Sequence, residues 1–342
     1  MDQKVLDFTK DFTSILWEAF PFIVLGAIVA GILEEVVPQQ AITRIVPKNR
    51  FLAVGLGGLL GLIFPMCECG IVPVMRRLLR KGLPLGTCVA YMMAGPIINV
   101  VVIGSTLVAF GPHGLAVHMT VLRVGLGFLV ALVTGLLVEA QFRKYGYDLL
   151  APSARPQAEE KVHVDAAATH DVHPAEERAG ERRPLLQRLG NISETALHDF
   201  KDIMVFLMLG ALLASLAKIW ITNDQVRDLS TTFPALVILA MMGMAILMCL
   251  CSEADAFVAA SFTTMHPAAK LAFLVLGPMF DLKLLMMFTR VFRRRLILLI
   301  FTSAVVQVFI YSMIVYYVWQ YLEIPYIGRS AIDVALPPVN SP

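Results

Sequence analysis

One pattern occurs twice in this chain, and it divides the sequence into two related halves. The first copy, residues 64–99, reads FPMCECGIVPVMRRLLRKGLPLGTCVAYMMAGPIIN, and the second, residues 248–281, reads MCLCSEADAFVAASFTTMHPAAKLAFLVLGPMFD. An ungapped alignment places Cys67 on Cys249, Cys69 on Cys251, Gly95 on Gly277, Pro96 on Pro278, and Asn99 on Asp281. A chain with only 5 Cys is not expected to repeat Cys-x-Cys and Gly-Pro-x-x-Asn/Asp at the same spacing by chance. The pattern therefore predicts an internal structural repeat.

The composition places both halves in a membrane. Hydrophobic residues make up 58% of the chain and charged residues 16%, whereas soluble domains carry about 25% charge. Several apolar runs approach the length of about 20 residues that a helix needs to cross a bilayer. The runs are continuous rather than alternating, which argues against a β-barrel. A net charge of +2 does not suggest a nucleic-acid partner. We therefore expect an all-α polytopic membrane protein.

Breaks in the apolar pattern divide the chain into four segments. Residues 1–140 form an N-terminal membrane repeat, residues 197–325 a C-terminal membrane repeat, and residues 326–342 a tail. The segment 141–196 is rich in Pro, Ala, Glu, Arg and His and sustains no apolar face. Such a composition is typical of a solvated linker that is disordered in part.

Basic residues in the loops indicate that the two halves have opposite orientations. The first half has basic loops at 44–50 and 76–81, but their counterparts at 222–232 and 258–263 are poor in base. Conversely, 290–295 is basic and its counterpart 108–113 is uncharged. Because Lys and Arg stay in the cytoplasm, this switch predicts inverted-topology repeats. We expect six crossings plus two re-entrant, broken-helix hairpins, with the linker cytoplasmic. Eight full spans remain the alternative.

The helices are expected to break at 65–70 and Pro73 with Gly95-Pro96, and at 249–255 with Gly277-Pro278. Polar residues gather at these breaks in the two hairpins, where a transport site is expected. Non-helical backbone at membrane depth must be buried in protein or line a watery cavity. Carboxylates at that depth are costly and are functional candidates. The predicted substrate-binding residues are Cys67, Glu68, Cys69, Gly95, Pro96, Asn99, Cys249, Cys251, Ser252, Glu253, Asp255, Gly277, Pro278 and Asp281. Asn99 and Asp281 are alternatively helix caps, and Glu68 and Glu253 are alternatively interfacial.

The four paired cysteines suggest a soft ligand set. Thiolates bind Cu(I), zinc and other thiophilic centres, so Cys67, Cys69, Cys249 and Cys251 are the candidate metal ligands. The alternative is that each is a small residue packing at a broken helix. Cys88 has no cysteine counterpart and is expected to pack. Arg123, inside a span, either binds an anion or pairs internally, and Lys283 is a candidate partner of Asp281.

The motif CECGIVPVMRRLLRKGLPLGTCVAYMMAGPIIN resembles the signature of the ArsP/YraQ-type predicted permeases. The stretches CSEADAFVAASF and LAFLVLGPMFDLKLL are similar to the motif of that family's second half. The resemblance covers both apolar halves and implies a bacterial inner-membrane permease, whose relatives include exporters of trivalent organoarsenicals. This chain departs from the family pattern at Glu68 and Asp281, which would suit a cation or a proton-coupled cycle. Some relatives of this kind sit beside a second small membrane protein, so the resemblance also implies a possible partner subunit.

The leading hypothesis is a secondary transporter rather than an enzyme, with no cofactor. The partners are the lipid bilayer around the protein and a small solute or ion that would bind between the two hairpins. The alternatives are a membrane thiol oxidoreductase that uses the two Cys-x-Cys pairs, a divalent-cation transporter subunit, and a structural subunit of a complex. A homo-oligomer is also open.

Overall fold

A computed structural model of the chain describes residues 3–36, 46–47, 49–63, 66–151, 234–262, 265–289 and 291–322, together with single positions between 193 and 212. These ranges contain helices joined by short turns, and a lone β-bridge between Leu150 and Phe292 is the only strand-like pairing in them. The expected all-α class is therefore confirmed. Most of the predicted linker, the tail and the first span of the second half lie outside the described residues.

Six helices make up the described part of the first half. They are α1 (Gln3–Val36), α2 (Arg50–Ile63), α3 (Glu68–Arg80), α4 (Leu85–Ala94), α5 (Val100–Phe110) and α6 (Ala116–Tyr145). Helix α4 is buried along its whole length and packs against α2 and α6, while α3 packs against α1. The close approach of α1 to α3 requires Gly26, because a Cβ there would lie 2.6 Å from the Gly70 Cα atom.

In the second half, the described residues from Pro234 onward form five helices in a matching order. They are α7 (Pro234–Met248), α8 (Ser252–Ser261), α9 (Pro267–Met279), α10 (Leu282–Phe288) and α11 (Arg294–Tyr321). Helix α9 is buried throughout and packs between α7 and α11, as α4 packs between α2 and α6. Helices α2 to α6 therefore have counterparts in α7 to α11.

The helices break close to where the sequence predicts, with two differences. Gly70 and Pro73 lie inside α3 rather than in an unwound turn, because α3 already begins at Glu68. Helix α9 likewise continues through Gly277-Pro278 to Met279, since a proline near the end of a helix removes only one backbone hydrogen bond. In the first half, α4 ends at Ala94 and Gly95-Pro96 follows it, as expected.

Asn99 and Asp281 lie at equivalent places, each between the end of one helix and the start of the next. The Asn99 side chain accepts a hydrogen bond from the Val102 amide at 2.9 Å, and Asp281 accepts one from the Leu284 amide at 2.6 Å. Each residue therefore caps the N-terminus of the next helix, α5 or α10, which satisfies one of the amides that a helix start leaves unpaired. The cap alternative considered for both residues is confirmed.

The two halves contact each other through two equivalent pairs of helices. Helix α8 of the second half packs on α5 of the first, and α10 of the second half contacts α3 of the first. The long helices α6 and α11 also pack on each other and run antiparallel. Leu150, just after α6, pairs with Phe292 before α11, whereas His118 at the start of α6 lies 6.1 Å from the Trp319 ring near the end of α11.

Three helical segments among the described residues are long and apolar enough to cross a membrane: Ala116–Tyr145, Pro267–Phe288 and Arg294–Tyr321. Shorter apolar helices are Arg50–Ile63, Leu85–Ala94, Val100–Phe110 and Pro234–Met248. Helix α6 continues to Tyr145, past the predicted end of the first half at residue 140, and the chain stays bound to the base of α11 through Ala151.

Candidate functional site

The N-termini of α3 and α8, one from each half, meet inside the protein. Their first residues are Glu68 and Ser252, and the Ser252 hydroxyl donates to Glu68 Oε2 at 3.4 Å. Both residues are almost fully buried. Glu68 and Ser252 hold the same position in their helices, so equivalent points of the two halves touch each other. This contact defines the centre of the candidate site.

A cysteine is the N-cap residue of each of these helices. Cys67 precedes α3 and Cys251 precedes α8, each with an extended backbone and no side-chain hydrogen bond to a backbone amide of the first turn. The structure therefore matches Cys67 with Cys251, not with Cys249 as the ungapped alignment does. The reason is that α3 has 13 residues and α8 has 10, which shifts the register between the copies. Uncapped helix starts carry partial positive charge and free amides.

A buried ion-pair chain crosses between the halves beside this contact. The Lys283 ammonium lies 2.8 Å from Glu68 Oε1 and 3.4 Å from Asp281 Oδ2. It also donates to the Cys249 carbonyl oxygen at 3.3 Å. At least 98% of each of these three charged side chains is removed from solvent. The predicted pairing of Lys283 with Asp281 is present, but the shorter contact is with Glu68 of the other half.

Arg123 is the second buried cation of the site. It projects from α6, is 1% exposed, and donates to Thr106 Oγ1 at 2.8 Å and to the Ser252 carbonyl oxygen at 2.9 Å. One guanidinium therefore ties α6 and α5 to the start of α8. Its Nε atom is buried and has no hydrogen-bond partner among the described residues. Of the two alternatives for Arg123, the structure shows internal pairing.

Asp255, in the first turn of α8, is another buried acid of the site. It is 2% exposed, and its Oδ2 atom has no hydrogen-bond partner in the part of the chain that the structure describes. Gly277 makes room for it, because a Cβ at position 277 would lie 3.1 Å from Asp255 Oδ2. The positive charges of Arg123 and Lys283 both act on Asp255 electrostatically.

The other predicted residues surround this centre. Cys249 is buried, donates to the Ile246 carbonyl oxygen at 3.4 Å, and has a left-handed backbone with φ of 50°. Cys251 and Glu253 are half-buried. Gly95 and Pro96 are buried in the turn after α4, and Pro278 is buried in the last turn of α9. The Cys69 side chain lies outside the described part of the structure. Among described side chains, no three His, Cys, Asp or Glu groups come close enough to hold a metal ion.

Two features of the site were missed or undervalued in the sequence. Thr106 was not considered, since a threonine inside an apolar run is ordinary and hydrogen bonds to its own helix. The hydrogen bond of Lys283 to Glu68 connects residues 215 positions apart and depends on the packing of α10 against α3. Arg123 and Lys283 could have been recognised from the sequence because each lies inside an otherwise apolar helix, where a charge requires partners.

The family model described as "Predicted permease" (ArsP_1) matches residues 4–317. The chain belongs to this predicted permease family. No solved structure matches the chain significantly.

Relatives of this permease occur in several bacteria. It is 38% identical over 316 residues to UPF0718 protein YcgR of Bacillus subtilis, covering 91% of this chain and 97% of the relative. It is 31% identical to a putative two-component membrane permease complex subunit of Streptococcus mutans, covering 92% and 97%. UPF0718 protein YraQ of Escherichia coli is 26% identical over 163 residues, covering 48% and 42%. The ArsP/YraQ resemblance is therefore confirmed, and family membership favours a transporter over an enzyme.

Proposed function

We propose that this permease is a secondary transporter that binds a small solute where the starts of α3 and α8 meet. The observation that carries the proposal is the contact of Glu68 with Ser252, which brings two uncapped helix starts together inside the protein. Broken helices from two repeats that meet at depth are the arrangement in which secondary transporters hold substrates. Rocking of one half against the other would expose this site alternately to each side of the membrane.

The proposed solute is a thiophilic species such as a trivalent arsenical. Cys67 and Cys251 stand at the two helix starts, and Cys249 lies two residues away from one of them. Soft thiolates are the appropriate ligands for such a centre. The Cys69 thiol, outside the described residues, would complete the predicted set of four.

We expect Cys67→Ser and Cys251→Ser to lower transport of a trivalent methylarsenical about tenfold or more, equivalent to about 1.4 kcal/mol in binding. The measurement is arsenic accumulation in proteoliposomes that contain the purified permease. Cys88→Ser is the matched control, because Cys88 is buried like Cys67 but donates to the Leu83 carbonyl oxygen at 3.8 Å, away from the two helix starts. It should transport like the wild type.

A second candidate is a divalent-cation transporter. One observation favours it: the buried carboxylates Glu68, Asp255 and Asp281 outnumber the buried cations Arg123 and Lys283 at the site. Transport that survives both Cys→Ser changes but is lost in Glu68→Gln and Asp281→Asn would favour the cation and rule out thiol ligation. A change in thiol redox state during turnover would instead favour an oxidoreductase.

We further propose that the halves are inverted repeats in the bacterial plasma membrane, with the linker in the cytoplasm. The antiparallel arrangement of α6 and α11, which are equivalent helices, supports this. The basic residues Arg293–Arg295 at the start of α11 indicate the cytoplasmic side. The name of the Streptococcus relative suggests that a second membrane subunit accompanies this chain.

Surface labelling tests the orientation. A membrane-impermeant maleimide should label Pro112→Cys from outside the cell and Arg294→Cys only after the membrane is opened. Both positions are exposed; Pro112 precedes α6, and Arg294 is the first residue of the equivalent helix α11. Arg143→Cys, at the other end of α6, is the control and should behave like Arg294→Cys. Labelling of Pro112→Cys and Arg294→Cys from the same side would contradict the inverted arrangement.

A further inference from the structure

Asp255 and Asp281 each have a buried Oδ2 atom with no hydrogen-bond donor among the described residues, but that of Asp281 lies 3.4 Å from the Lys283 ammonium. Glu68 is paired with Lys283 and receives the Ser252 hydroxyl, and Asp281 caps α10 and lies beside the same ammonium. Asp255 Oδ2 has neither kind of contact. A carboxylate left without donors away from water is costly, and a proton on the oxygen removes that charge.

Packing does not require an acid at this place. Asp255 occupies the fourth position of α8, and Ile71 occupies the fourth position of α3. Their amides make the same first helical hydrogen bond, to Cys251 and Cys67 at 3.0 and 3.1 Å. Each lies against the equivalent glycine, Asp255 against Gly277 and Ile71 against Gly95. At this position the first half therefore has a hydrocarbon side chain, and the second half has a carboxyl group.

The charged groups around Asp255 come from several elements. Arg123 of α6, Glu68 of α3, and Lys283 and Asp281 of α10 all act on it electrostatically, while the half-buried Glu253 lies on its own helix. Helix α5 contributes Thr106 but no charged residue, and the Lys270 ammonium of α9 lies over the Phe110 ring, 6.0 Å from its centroid. Arg123 Nε is a buried donor that has no hydrogen-bond partner among the described residues.

We propose that Asp255 is the proton-binding residue that couples this permease to the transmembrane proton gradient. A proton from water binds the carboxylate when the site is open to one side, forming the O–H bond. It returns to water when the site is open to the other side, breaking that bond. With the proton bound, Asp255 is neutral and needs no cation as a partner. Without it, the ionised carboxylate pairs with the unused Nε–H of Arg123 and pulls α8 and α6 together. The coupling role rests on the proposed transport function, whereas the test of proton binding at Asp255 does not depend on it.

The test is infrared difference spectroscopy on purified full-length permease in liposomes, taken between acidic and alkaline buffers without added solute. Wild-type protein should show a titrating band in the carbonyl-stretch region of protonated carboxylic acids, shifted in heavy water. Asp255→Asn, which copies the shape of the neutral acid, should lose that band. Ile71→Val, a conservative change at the equivalent position of the other half, should keep it. If Asp255→Asn does not assemble, Asp255→Glu should move the band to a different frequency.

The outcomes are separable from those of the transport assay. Loss of the band in Asp255→Asn supports the proton site even if no tested solute is carried. Absence of the band in wild-type protein, or its persistence unchanged in Asp255→Asn or Asp255→Glu, overturns the assignment even if arsenical transport is found.

Discussion

Replacing Lys283 by Met should destabilise the permease by about 3–5 kcal/mol, the cost typical of breaking a buried ion pair from one side. The ammonium neutralises Glu68 at 2.8 Å and Asp281 at 3.4 Å, and it also satisfies the Cys249 carbonyl oxygen. Without it, two carboxylates would face each other in a region from which water is almost completely excluded. The measurement is the midpoint of thermal unfolding in detergent, followed by the loss of monodisperse protein.

Two further variants make this result interpretable. Lys144→Met removes an exposed lysine at the end of α6 and should change stability by less than about 0.5 kcal/mol. The double variant Glu68→Gln with Lys283→Met should recover part of the loss, because the uncompensated Glu68 charge is gone. If Lys283→Met melts with the Lys144→Met control, the ion pair does not hold the two halves together.

Arg123→Met is expected to have the second largest effect, a loss of about 3 kcal/mol or more, because hydrogen bonds to charged groups are each worth about 1.5–3 kcal/mol. The change removes donors from Thr106 and from the Ser252 carbonyl oxygen at once. It should also abolish transport, since the start of α8 would no longer be fixed to α5 and α6.

Arg123→Lys separates the charge from the geometry. Lysine keeps the positive charge but lacks the planar fork that reaches two acceptors, so it should restore only part of the stability and little transport. Arg143→Met, an exposed arginine on the same helix, is the control and should remain like the wild type. Equal behaviour of Arg123→Met and Arg143→Met would show that Arg123 does not position α8.

The helices and their breaks could be read from the sequence because they depend on local features. Continuous apolar runs predict the membrane helices, and Gly95-Pro96 and Gly277-Pro278 predict interruptions near Asn99 and Asp281. The details that failed were also local in origin. Pro73 is tolerated inside α3, and the unequal lengths of α3 and α8 defeated an alignment without gaps.

The arrangement of the site could be predicted only in outline. The sequence named Glu68, Ser252, Asp255 and Asp281, but it gave no way to rank them, since their partners lie in distant parts of the chain. Lys283 reaches Glu68 only because α10 packs on α3, and Arg123 reaches Ser252 only because α5, α6 and α8 converge. Such contacts are set by tertiary packing, whereas residue type alone indicates only that a buried charge needs a partner.

The Ile71 and Asp255 pair has a consequence for how such a protein could arise. A transporter assembled from two identical subunits must place the same residue at both positions, so its centre would hold two acids or none. Two carboxyl groups would repel each other, and two isoleucines would leave nothing to titrate. A single polypeptide that carries both halves escapes this constraint. Fusion of duplicated genes would thus allow one half to specialise in ion chemistry while the other retained the ancestral packing.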